Sequence, residues 1–200
     1  MTGGQRGRVR TSRPQRNPAR RILVVAEGTK TEPQYVERLN SYLRSKSTTA
    51  IVRTVGVGKD PLRVVEKSIE LRDAAADTEK RYDICVCLVD VDEHSTLEHA
   101  SRLAERESIL LLVSNLKFEA WLRWHVEDKR SALSSSQLDQ RMATLNLTTD
   151  KTLALRFPID GVDDACRTAR AADPSMRAGR TGPDPSSALP ILVDLMRGAS

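Results

Sequence analysis

The sequence predicts an α/β fold with a mostly parallel four-stranded sheet and helices on both of its faces. Three observations predict it. Short apolar runs at residues 22–26, 50–55, 83–89 and 109–113 alternate with stretches of helical periodicity. The clearest runs are apolar throughout rather than at every second residue, as in strands buried on both faces. Turn or capping residues separate the runs from the helices, giving a series of β-α-β units whose crossovers should be right-handed.

The elements follow in order. Residues 22–26 (ILVVA) form a buried strand that Glu27-Gly28-Thr29-Lys30-Thr31 interrupts. Thr31 is placed to cap a helix over 32–43, with Pro33 in its first turn and Tyr35, Val36, Leu39, Tyr42 and Leu43 at helical spacing. A second strand spans 50–55. The loop GVGKDP (56–61) ends in an N-cap Asp60 and an N1 Pro61, so a helix follows to about residue 76. The third strand, 83–89 (DICVCLV), runs into Asp90-Val91-Asp92-Glu93-His94. A helix over 96–107, a strand over 109–113 and a helix over 116–125 complete the series. Phe118, Trp121, Leu122 and His125 share one face of that last helix, most simply a core face.

Beyond residue 126 the pattern weakens. Helices are expected from Ser136 or Asp139, over 150–156 and over 162–172. A loop spans 178–187, and a final helix, capped by Ser186 or Ser187, runs to Met196. No internal repeat is visible. The expected division is a disordered tail (1–21), an α/β core (22–126) and a helical extension packed on that core (127–200).

Composition narrows the function. The chain has 200 residues, enough for one domain with a real core. Aromatics make up 4%, too few for a base-stacking platform. Apolar runs such as 22–26 and 109–113 are five residues long, where a membrane helix needs roughly 20, so no membrane association is expected. No apolar leader is visible, and Cys85, Cys87 and Cys166 are too few for a disulfide scaffold or a four-thiolate zinc site. Reduced, buried thiols in a cytoplasmic protein are the expectation.

The net charge is +5, but Arg6, Arg8, Arg10, Arg13, Arg16, Arg20 and Arg21 all lie in the first 21 residues, which hold no acid. Without those seven, residues 22–200 carry −2. The tail is a candidate nucleic-acid-binding arm that neutralises phosphates, or else a solubilising leader.

In open α/β sheets ligands bind outside the carboxyl ends of the strands. Glu27 ends the first strand there, and Asp90 and Asp92 end the third. Residues two apart in extended chain point the same way, so both aspartates can converge. Clustered carboxylates repel, and Mg²⁺ or Mn²⁺ relieves that cost. Glu27 can complete the site as a metal ligand or as a general base. Either aspartate alone is equally an ordinary helix cap.

Lys30, Lys59, His94, Asn115 and Glu119 are candidates for substrate binding near those strand ends; Glu32 and Glu93 lie beside the acids. Five of them have a plainer reading: a solvated loop charge for the lysines and Glu93, a helix-start residue for His94, a cap for Asn115; Glu119 stays open. The loop G-x-G-K at 56–59 lacks the spacing of a P-loop.

The strand entering Glu27-Gly28, with Asp90-x-Asp92 two strands on, resembles the Toprim domain of topoisomerases, primases and OLD-type nucleases. The stretches ILVVAEGTKTEPQYVERL (22–39), GVGKDP (56–61), VDVDEH (89–94), SNLKFEAWLRWH (114–125) and DPSSALPILVDLM (184–196) are similar to the RloB-like family of bacterial defence-associated proteins. The resemblance implies that Glu27 serves as acid/base and that Asp90 and Asp92, with Glu27, hold Mg²⁺ for phosphodiester chemistry. It implies a nuclease acting on DNA or RNA in antiphage defence, with an ATPase as a partner. A homodimer is a further expectation. Two other functions fit the same residues: a non-catalytic subunit that binds nucleic acid or a partner, and a phosphate-handling enzyme acting on small nucleotides.

Overall fold

The computed structural model describes residues 20–46, 50–58, 60–91, 96–150 and 152–198. Four parallel strands lie where the apolar runs predict them: β1 (Arg21–Ala26), β2 (Ile51–Gly56), β3 (Ile84–Asp90) and β4 (Leu110–Asn115). Between them run α1 (Thr31–Ser45), α2 (Pro61–Asp73) and α3 (Leu97–Arg106). Then come α4 (Phe118–Arg123), α5 (Ser135–Thr144), the hairpin β5 (Thr148–Thr149) and β6 (Thr152–Leu153), α6 (Val162–Ala172), β7 (Ser186–Ser187) and α7 (Leu189–Arg197). The main sheet has the order β2-β1-β3-β4-β7, with β7 antiparallel to β4.

Alternation along the central strands builds two cores. Ile22, Val24, Val86, Leu88 and Leu112 face Tyr35, Val36 and Leu39 of α1 and the helices that follow β4. Leu23, Val25, Cys85, Cys87, Val89 and Val113 face Val64 and Val65 of α2 and Ala100 and Ala104 of α3. Helices thus cover both faces, which is why these strands are apolar at nearly every position. The three cysteines are buried free thiols. Burial pushes Cys87 up to about 12 and Cys166 to about 11, so neither is a ready nucleophile.

Several local expectations are corrected. Thr31 lies within α1; the N-cap is Lys30, which makes no side-chain capping bond. Helix α4 starts at Phe118, and the Asn115 amide, expected as its cap, donates to the Gly182 carbonyl at 3.0 Å. Among the described residues of 150–156 none is helical: β-branched threonines pair between β5 and β6, and Asp150 takes φ 49°. Ser186 and Ser187 do not cap the last helix. They form β7, and the Ser187 hydroxyl meets that of Ser114 at 3.0 Å. Arg21 is the first residue of β1, and the Arg20 carbonyl accepts from Ile51 N at 2.8 Å, so both join the sheet rather than the tail. Arg6, Arg8, Arg10, Arg13 and Arg16 lie outside the described residues. The segment after residue 126 adds a strand to the sheet, and its helices share the first core. No helix among the described residues is long and apolar enough to cross a membrane.

The expected aromatic face is core. Tyr35, Phe118, Trp121, His125 and Phe157 pack edge to face at centroid distances from 4.9 to 6.1 Å. His125 Nδ1 lies 3.2 Å from the Trp121 carbonyl, which can only accept. Nδ1 therefore carries the proton, and Nε2 accepts from the Tyr35 hydroxyl at 3.1 Å. Burial lowers the His125 pKa from 6.5 to about 4. The unfolded chain takes up a proton below pH 6.5 that the folded chain refuses until about pH 4. Stability is therefore lost as pH falls through that window, by about 3 kcal/mol for this group. NMR titration of the His125 ring carbons should show a neutral imidazole down to near pH 4; a midpoint near 6.5 would contradict the burial.

Candidate acidic site

Strand order places the site. β1 and β3 are hydrogen-bonded neighbours, although β2 lies between them in sequence. The chain leaves β1 towards β2 on one side and returns to β3 on the other. The crevice at the carboxyl ends of β1 and β3 is thus the topological switch point, where open α/β sheets bind ligands.

Glu27 follows β1 directly, and its amide donates to the Leu88 carbonyl at 2.9 Å, which continues the ladder onto β3. Its carboxylate accepts from the Asp90 amide at 3.3 Å. The two predicted residues that the structure describes at these strand ends are thus joined across the β1–β3 seam. Asp92, Glu93, His94 and Lys59 lie outside the described residues.

Two further acids close in. Glu32, in the first turn of α1, accepts from the Gly28 amide at 3.1 Å. Glu119, in the first turn of α4, is near enough for its charge to act on both Glu32 and Asp90. Glu27, Glu32, Asp90 and Glu119 all line one cleft of about 940 Å³. Sequence reasoning named Glu119 but left Glu32 outside the site. Its spacing five residues after Glu27, at the start of the helix leaving the same strand, was the available signal.

Burial raises the Asp90 pKa well above its ordinary value, and the charges of Glu32, Glu119 and Glu27 raise it further. A hydrogen bond from the Phe118 backbone amide offsets part of this. Asp90 keeps some surface open to the cleft, yet protein encloses it on its other sides. Glu32 is raised in the same way, first by burial and then by Glu119 and Glu27.

Glycines hold the loop in place. A Cβ at residue 28 would fall on the Glu32 carboxylate, so only glycine lets that carboxylate approach the backbone. At residue 56 a Cβ would lie 2.5 Å from the Gly28 carbonyl oxygen and 2.6 Å from Thr29 Cα. The end of β2 therefore backs the loop that carries Glu27.

The other wall comes from the C-terminal segment. Ser135 and Asp139 of α5, Thr148 of β5 and Asp150 line the cleft. The hairpin is anchored by Gln34 of α1, whose side chain accepts from Leu153 N at 2.9 Å, and by Arg38, which donates to the Ala154 carbonyl at 2.5 Å. Lys30 and Lys117 also line the cleft; Asn115 ends β4 near it.

Hard oxygen donors are the set that Mg²⁺ or Mn²⁺ takes, so the residues fit such an ion in kind. Among the described residues no three His, Cys, Asp or Glu side chains already stand in an arrangement able to hold one.

A family model described as RloB-like protein matches residues 22–196. No curated protein and no solved structure matches the chain.

Proposed function

Because the chain belongs to the RloB-like family, and because its acids converge at a sheet switch point, we propose that it is a Toprim-like, Mg²⁺-dependent phosphodiesterase that cleaves nucleic acid in antiphage defence. The convergence of Glu27, Glu32, Asp90 and Glu119 carries this reading. Such crowding destabilises a fold, and a cation-dependent function explains why it is tolerated.

Glu27 and Asp90, with Asp92 next along the chain, would hold the ion. When bound, the ion would offset the charge of a phosphodiester and favour ionisation of a water. Glu27 stands at the seam between the two strands, where it can take a proton from water or return one to a leaving oxygen. Glu32 is fixed by the Gly28 amide, and burial, with the nearby charges of Glu119 and Glu27, makes it hold a proton more readily than an ordinary glutamate. The arginine tail would raise the local concentration of polyanions.

The test is a cleavage assay with the full chain on single-stranded and duplex DNA and RNA, with Mg²⁺ or Mn²⁺, with and without the candidate ATPase. Cleavage by the wild type and a loss of at least about 100-fold in Glu27→Ala would support the reading. Nucleic-acid binding without cleavage under any of these conditions would favour a non-catalytic subunit instead.

A further inference from the structure

We propose that Lys117 is the phosphate-positioning residue of this cleft and that Asp139 holds it ready; this rests on the phosphodiesterase reading above. Lys117 comes one residue before Phe118, whose amide hydrogen-bonds Asp90, and two before Glu119. It thus sits on the segment that builds the acidic site. Its side chain lines the cleft and is 31% exposed. Its ammonium lies 3.1 and 3.3 Å from the two oxygens of Asp139, on the α5 wall.

Charge gives this pair a purpose. The described lining holds six acids, Glu27, Glu32, Asp90, Glu119, Asp139 and Asp150, against the cations Lys30 and Lys117. An incoming phosphodiester is repelled by that field except where a cation meets it. Lys30 is exposed at the start of α1, whereas Lys117 directly precedes Phe118, whose amide hydrogen-bonds Asp90, and lines the same cleft. Asp139 is 59% exposed, so its hold on Lys117 is weak and screened. A phosphate oxygen can replace the Asp139 carboxylate on the same ammonium. Asp139 therefore competes with substrate while keeping the lysine extended across the cleft. The cleft has the volume of a ligand site, so a nucleotide-sized segment of a strand is what it can take in.

The experiment uses the full chain and a labelled short single-stranded oligonucleotide, with Ca²⁺ in place of Mg²⁺ to limit cleavage. Lys117→Ala should weaken binding about ten-fold and flatten the salt dependence by about one phosphate contact, roughly 0.7 in slope. Lys117→Arg should restore most of both. Asp139→Asn should tighten binding several-fold. Thermal midpoint and Mn²⁺ affinity should stay at the wild-type values in all three. A merely structural lysine would not change the salt slope. If the wild type binds Mn²⁺ and oligonucleotide and Lys117→Ala binds with unchanged affinity and slope, this inference fails and the phosphodiesterase reading stands. If the wild type binds neither, both fail.

Discussion

Replacing Glu127 by alanine is expected to destabilise the fold by about 3–5 kcal/mol, the cost of stranding a buried partner charge. Glu127 follows α4 and accepts from Arg123 Nε at 2.8 Å, and the side chains are 9% and 5% exposed. Its other partners are Arg141 of α5, whose Nε lies 3.2 Å away, and the exposed Lys129, whose ammonium lies 3.8 Å away. Hydrogen bonds from Arg141, then from Arg123, lower the Glu127 pKa from 4.5 to about 2. The pair's contribution is complete above pH 4.5 and is lost as pH falls towards 2. In Glu127→Ala, Arg123 stays buried without its carboxylate. Because the pair ties α4 to α5, the variant also loosens the wall that carries Asp139. Denaturation in urea or by heat measures the loss; for a chain of this size it corresponds to a midpoint roughly 6–20 °C lower. A loss below about 1 kcal/mol would show that Arg123 finds water or another acceptor.

The second large effect has the opposite sign for stability. Asp90→Asn should make the protein more stable and should abolish its divalent-cation response. Burial raises the Asp90 pKa, and Glu32, Glu119 and Glu27 add to it. A raised carboxylate pKa means that the folded chain holds a proton the unfolded chain has released. Stability from this group is therefore lost as pH rises from 3.8 towards the folded value, so it is a liability at neutral pH. Asparagine keeps an acceptor for the Phe118 amide and removes the charge. A gain of at least about 1 kcal/mol is expected, roughly 2–4 °C in midpoint. Mn²⁺ should raise the midpoint of the wild type and leave that of the variant unchanged. A variant less stable than the wild type would show that Asp90 is held by attraction rather than strained by repulsion.

The fold was legible where one physical constraint dominates. Strands buried on both faces must be apolar throughout, so residues 22–26, 83–89 and 109–113 identified themselves. Asp60 capping α2, with its carboxylate accepting from Leu62 and Arg63 amides, and Pro61 at the first turn were equally direct. The limits of α6 at residues 162–172 were also read directly. Elements fixed by distant partners were not legible. Ser186 and Ser187 look like helix caps, yet β4 claims them through Ser114 and Asn115. Thr148–Thr149 and Thr152–Leu153 pair with each other only because the chain reverses between them.

The site divides in the same way. Glu27 and Asp90 were readable because strand ends in α/β sheets converge. Glu32 needed the bend at Gly28 that turns its carboxylate back onto the loop. Asp139, Ser135 and Thr148 needed the packing of α5 and the hairpin against α1 and α4. No local pattern encodes a wall more than 100 residues from Glu27 in sequence. The chemistry of the cleft was thus visible in short motifs, and its shape in none.

The most direct measurement is a calorimetric titration of the full chain with Mn²⁺ and with Mg²⁺, beside the same titration of Asp90→Asn. A cation site built on these acids predicts saturable binding by the wild type and none by a variant that remains folded and at least as stable. Equal binding by both proteins, or none by the wild type, would contradict it.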